Sequence, residues 1–186
     1  MNDNIKKALS LVAFGFLLTL VNLNLKYNNF TINITPEFVG WILFFLAFDK
    51  LGDYGKGKEY IKWISLLLVI ATAAFWVLDM AMPQLDTGIY KTGVSLVEAY
   101  YIFVLFGMLT KIAEDCGSNK AGLLSFLKYL NIILILLFAG VGYYTAYNPI
   151  QSLVVLSTVI GMAALVSAIV TCIVLFGLRK DVNREN

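Results

Sequence analysis

From Ile150 to Leu178 the chain runs without one charged side chain, a stretch longer than the ~20 apolar residues that a helix needs to cross ~30 Å of hydrocarbon. Apolar segments of this kind recur along the whole length, so neither half can close a water-soluble core of its own. Only 14% of the 186 residues are charged and the mean hydropathy is +0.80, against about 25% charged residues in soluble domains. The sequence therefore describes one integral membrane domain over 1–186. Met1 to Asn4 and Lys6-Lys7 precede an apolar stretch with no A-x-A cleavage site, so the first span is expected to be retained. Cys116 and Cys172 form no C-x-x-C pair and are expected as free thiols. The absence of histidine removes haem ligands, most catalytic zinc sites and Ser-His or Cys-His nucleophile pairs.

Hydropathy and turn signals predict an all-α bundle of six transmembrane helices, approximately Lys6 to Asn22, Pro36 to Asp53, Glu59 to Met80, Gly88 to Glu114, Leu123 to Tyr144 and Pro149 to Leu178. On that division Lys6, Lys7, Lys50, Lys56, Lys58, Lys62, Lys111, Lys120, Lys128, Arg179, Lys180 and Arg184 fall on one side, and only Lys26 and Lys91 on the other. The bias predicts an even number of spans with both termini in the cytoplasm. The second segment is short, but making it re-entrant would put Lys56, Lys58 and Lys62 on the wrong face, so it should cross. Thr35 as a cap, Pro36 at the first helical position and Glu37 at the positive end of the helix dipole suit such a start. About 17 residues would span ~26 Å, which obliges the bilayer to thin slightly or the flanking charges to snorkel.

Odd helices open alike, with "IKKALSLV" from Ile5, "IKWISLLL" from Ile61 and "LKYLNIIL" from Leu127, and even helices close alike, with "LAFDKL", "LFGMLTKI" and "LFGLRK". Three hairpin repeats, 5–55, 59–117 and 122–182, would account for this; so would a separate need for an interfacial basic residue at each inner helix end. Between the first two helices, "NLKYNNFTINIT" alternates Phe30, Ile32 and Ile34, a pattern for an extended flap able to lid a cavity.

Glu98 is the residue most in need of explanation, because it lies about ten residues into the fourth helix, roughly 15 Å along its axis. Intramembrane carboxyl groups are costly and face a bundle interior or a wet cavity. At 100° per residue Thr87, Lys91, Ser95 and Glu98 share a face, and Ser65, Thr72, Trp76 and Asp79 form a matching stripe on the third helix. Facing each other, with Tyr101 and with Glu37 and Trp41 from the second helix, they would make an acidic, aromatic-rimmed pocket for a cationic, aromatic or amphipathic solute. Further tyrosines, Tyr90, Tyr100, Tyr143, Tyr144 and Tyr147, are candidates for its rim or for the interfacial aromatic belts. Without such a solute, Glu98 would be a protonated group bonded to a neighbouring helix or an ion paired with Lys91 through water. Small residues Ser157, Gly161, Ala164 and Ala168 line one face of the last helix and suit close helix packing, within the chain or with a partner membrane subunit. Asp49 and Asp53 have a spacing found in magnesium-holding pairs, but the lysines around them favour a solvated interfacial cluster.

The stretch "INITPEFVGWILFFLAFDKL", Ile32 to Leu51, resembles a pattern in small uncharacterised bacterial membrane proteins: Asn, Pro, an acidic residue, two apolar residues, Gly and an aromatic residue. That resemblance implies a bacterial plasma membrane and no particular activity. In size and topology the chain is also similar to the S-components of energy-coupling-factor transporters, although "ALSLVAFGFLLTL", Ala8 to Leu20, lacks their A-x-x-x-A docking motif. The expectation is a multi-pass protein, not an enzyme, without cofactor, metal or nucleic acid, that lies among membrane lipid and binds or moves a small solute through an outward-facing cavity. The competing expectation is a non-transporting subunit, sensor or immunity-type protein acting through helix packing.

Overall fold

The computed structural model describes residues 2–20, 24–27, 30–33, 36–55, 57–82, 87–147 and 151–182. Six α-helices follow in chain order: α1 (Asn2–Leu20), α2 (Glu37–Phe48), α3 (Glu59–Ala81), α4 (Gly88–Asp115), α5 (Ala121–Tyr147) and α6 (Gln151–Asp181). Between α1 and α2 the alternating segment forms an antiparallel pair, β1 (Asn24–Tyr27) and β2 (Phe30–Asn33), and β2 lies against α3. Ile34 and Thr35, expected in that flap and as a helix cap, lie outside the described residues, as do Lys56 and Arg184.

Helices α3, α4, α5 and α6 are long and apolar enough to cross a membrane. Exposed Leu67 and Ile70 on α3, Ile133 and Leu136 on α5, and Val159, Met162, Val166 and Ile173 on α6 form apolar flanks far larger than a water-soluble surface tolerates. The chain is an integral membrane protein. The other two helices differ in kind. Asp3, Lys6 and Lys7 charge the first two turns of α1, and α2 has only 12 residues, about 18 Å of helix.

That length corrects the expected second helix, which was drawn from Pro36 to Asp53. Pro36 stands at the N-cap in an extended conformation rather than inside the first turn. At the other end α2 stops at Phe48 with Asp49 as its cap, Lys50 and Leu51 close tighter turns on Ala47 and Phe48, and Gly52, at a left-handed φ of 59° that suits glycine, leads into the 3-10 turn Gly52–Gly55.

Each helix packs on its neighbours in chain order, and α1 closes the ring against α6. Helices α1 and α2 cross closely. A Cβ on Gly40 would stand 2.8 Å from the Gly15 carbonyl oxygen and 2.9 Å from the Thr19 nitrogen, so the backbones touch, as small residues allow in membranes. The core occupies one end of the bundle. It is built from Leu9, Val12 and Phe16 of α1, Trp41 and Phe44 of α2, Tyr101, Leu105, Phe106, Leu109 and Ile112 of α4, and Leu175 and Leu178 of α6. Phe16 meets Phe44 and Phe106 edge to face at 5.2 and 5.4 Å, so side chains of α1 and α4 touch across the ring.

Polar contacts pin the same end. Asp49 receives Lys62 at 2.6 Å, Asp181 receives Lys120 at 2.5 Å, and the Ser167 hydroxyl donates to Asn131 Oδ1 at 3.0 Å between α6 and α5. Asp49 is thus occupied by a lysine, while Asp53 is exposed on the 3-10 turn. Interhelical hydrogen bonds of the Ser167 type stabilise membrane bundles by about 0.6 kcal/mol on average. Ser167→Ala also strands a buried amide oxygen, so the expected loss is about 1 kcal/mol, read from reversible unfolding in detergent.

Candidate functional site

The opposite end of the ring is hollow. A cavity of about 620 Å³ takes lining residues from all six helices: the C-terminal parts of α1, α3 and α5 and the N-terminal parts of α2, α4 and α6. Consecutive helices therefore run antiparallel, and the cavity lies at the end away from Lys6, Lys50, Lys62, Lys111, Lys120 and Arg179.

One wall is polar. Glu37 opens α2, Lys91, Ser95 and Glu98 follow one another down α4, and Thr72, Trp76 and Asp79 rise along α3. The other wall is apolar, with Leu134, Ile135 and Phe138 of α5 beside Gly161 and Ala164 of α6. Six of the eight residues expected to contact a solute, Glu98, Asp79, Ser95, Lys91, Trp76 and Glu37, thus line one space. Trp41 and Tyr101 do not. They lie one turn deeper on the same faces as Glu37 and Glu98, fully enclosed, with their rings edge to face at 5.2 Å. Together they floor the cavity, and the Trp41 indole nitrogen donates upward to Glu37 Oε1 at 3.3 Å. The Tyr101 hydroxyl approaches Ser65, whose own hydrogen goes to the Lys62 carbonyl, and forms no hydrogen bond of good geometry.

For Glu98 the sequence leaves open a bond to a neighbouring helix or a pairing with Lys91 through water, and the direct contact found is with the neighbouring helix α2. Lys91 does not serve Glu98; it reaches across to α3 and is held by both carboxylate oxygens of Asp79 at 2.8 Å. Glu98 instead meets Glu37, with the two carboxyl groups within hydrogen-bonding reach across the α2–α4 gap. Trp76 is propped by Phe38, edge to face at 5.8 Å. Among the described residues no three Cys, Asp or Glu side chains gather as a metal site.

The remaining candidates take other places. Tyr90, Tyr100, Tyr143 and Tyr144 are exposed on the flanks, and the Tyr147 side chain lies outside the described residues. Of the small-residue stripe of α6, Ala168 is buried, Gly161 and Ala164 line the cavity, and Ser157 is half-buried. Sequence reasoning missed the apolar wall on α5, since Leu134, Ile135 and Phe138 look like any lipid-facing residues. Thr19 was missed too, and its spacing from Gly15, to whose carbonyl it donates at 3.1 Å, was the available signal. Compared with protein families, with curated proteins and with solved structures, the chain has no match.

Proposed function

We propose that the protein is a six-span, plasma-membrane solute-binding protein with both termini cytoplasmic, and that its outward-facing cavity takes a small organic cation with an apolar or aromatic body. The observation that carries this reading is the two-sided cavity: three carboxyl groups and one lysine on one wall, a bare apolar wall opposite. A cation is drawn by the excess of acidic groups and by the Trp76 ring face, while its body covers Leu134, Ile135 and Phe138. The volume lies within the ~300–1,000 Å³ of small-molecule pockets. Among the described residues, the basic side chains of the helices other than Lys91 lie toward the packed end, a bias that supports the six-span topology.

A transporter would open the floor in a second arrangement. A binding protein or sensor needs only this one, and the dense packing of Phe16, Trp41, Phe44, Tyr101 and Phe106 favours binding over transport, which is the second reading. The test uses two probes of nearly equal size and opposite charge. Purified protein in nanodiscs is expected to bind tetraphenylphosphonium and to ignore tetraphenylborate; equal binding of both would mean a merely greasy cavity. Uptake of the cation into proteoliposomes then separates transport from binding alone.

A further inference from the structure

We propose that Glu37 and Glu98 hold one proton between them and that an organic monocation entering the cavity displaces that proton into the water at its mouth. The inference rests on the cation-binding reading above and adds what is exchanged for the solute.

Two ionised carboxylates are acceptors only, so carboxyl groups in hydrogen-bonding reach of each other need a proton on one of them. Like charges sharing one site cannot both ionise freely. The surroundings reinforce this requirement. On α1 the cavity offers Thr19, on α3 Asp79, and on α4 Lys91 and Ser95, and the α5 and α6 linings are uncharged; from beneath, the Trp41 indole N–H donates to Glu37. Lys91 is the basic side chain among the described lining residues; both of its hydrogen bonds go to Asp79, it lies over the Phe75 ring, and its charge also acts on Glu37. One lysine set against three carboxyl groups leaves the wall short of positive charge, which a guest from outside the chain can supply.

A proton and an organic cation meet that need alike. With one proton on board the pair carries a single negative charge. When a monocation enters and the proton leaves to water, two carboxylates and one cation again sum to a single negative charge. The exchange thus leaves the local charge unchanged, which lowers its cost in a medium that penalises net charge. The apolar wall selects the guest, because a hydrated inorganic ion would leave Leu134, Ile135 and Phe138 facing water.

The experiment measures tetraphenylphosphonium affinity in nanodiscs across pH, proton release with an indicator dye, and the infrared carbonyl band of a protonated carboxylic acid in the free protein. The expected result is affinity that rises by up to about tenfold per pH unit where the pair is protonated. One proton should leave per cation bound, and the acid band should disappear on binding. Glu37→Gln and Glu98→Gln should each flatten the pH slope, and two variants guard against one of them failing to fold. Binding that does not respond to pH and releases no proton would overturn the exchange while leaving cation binding intact. Absence of the acid band in the free protein would overturn it whatever the affinity. A band without any cation binding would defeat the exchange and the cation-binding reading together.

Discussion

Glu98→Gln is expected to weaken tetraphenylphosphonium binding at neutral pH about a hundredfold while leaving the helix content unchanged. A unit charge at ~4 Å in surroundings of effective dielectric ~20 is worth roughly 4 kcal/mol before desolvation is subtracted, and a hundredfold loss is about 2.7 kcal/mol of that. The amide keeps the volume of the side chain and can still hydrogen-bond Glu37, so the bundle has no reason to come apart. Asp79→Asn should cost less by direct attraction, since Asp79 is already engaged by Lys91. It frees the amine to compete with the guest, however, so some loss is still expected. Equilibrium dialysis on the three proteins decides the order, and undiminished binding in Glu98→Gln would place the cation elsewhere.

Gly40→Leu is expected to destabilise the protein by about 3 kcal/mol or more, beyond the usual range for an overpacked core. The new side chain would start inside the α1 backbone, 2.8 Å from a carbonyl oxygen and 2.9 Å from an amide nitrogen, where no rotamer change gives relief. Gly93, whose Cβ position is open on every side, is the control, and Gly93→Leu should leave thermal unfolding nearly unaltered. The comparison uses intrinsic tryptophan fluorescence in detergent, with gel filtration to detect aggregated material. Equal behaviour of the two variants would mean that α1 and α2 do not cross as closely as described.

The sequence carries the helices well because long apolar runs have few alternatives in hydrocarbon, where every backbone group must be satisfied within the segment. It carries the outer polar faces of α3 and α4 for a similar reason: Lys91, Ser95 and Glu98 cannot point at lipid. What it hides is depth. Glu37 and Trp41 share a face, as do Glu98 and Tyr101, and nothing in the spacing says that the gap between α2 and α4 closes within one turn. The carboxyl groups are thereby left in the cavity and the aromatic rings in its floor. Nor does spacing reveal that Lys91 turns to Asp79, a choice made by the distance between α3 and α4. The "PEFVGW" motif becomes intelligible only in the fold, where Pro36 starts the helix, Glu37 faces Glu98, Gly40 admits α1, and Trp41 supports Glu37 from below.

The brevity of α2 is what brings Glu37 to the level of Glu98, since a 12-residue helix anchored at the packed end stops about halfway up. Its first amides lie where a longer helix would bond them internally, and Pro36 supplies no side-chain cap. Backbone of that kind is tolerated at membrane depth only beside water or protein. On the proposed six-span topology the cavity lined by Glu37 and Glu98 would admit water down to the carboxyl pair. The voltage across the bilayer then drops over the solid half beneath, where 100 mV is worth about 2.3 kcal/mol for each charge carried the whole way. A guest bound beside Glu98 would have crossed little of that field, and any further step inward would meet nearly all of it.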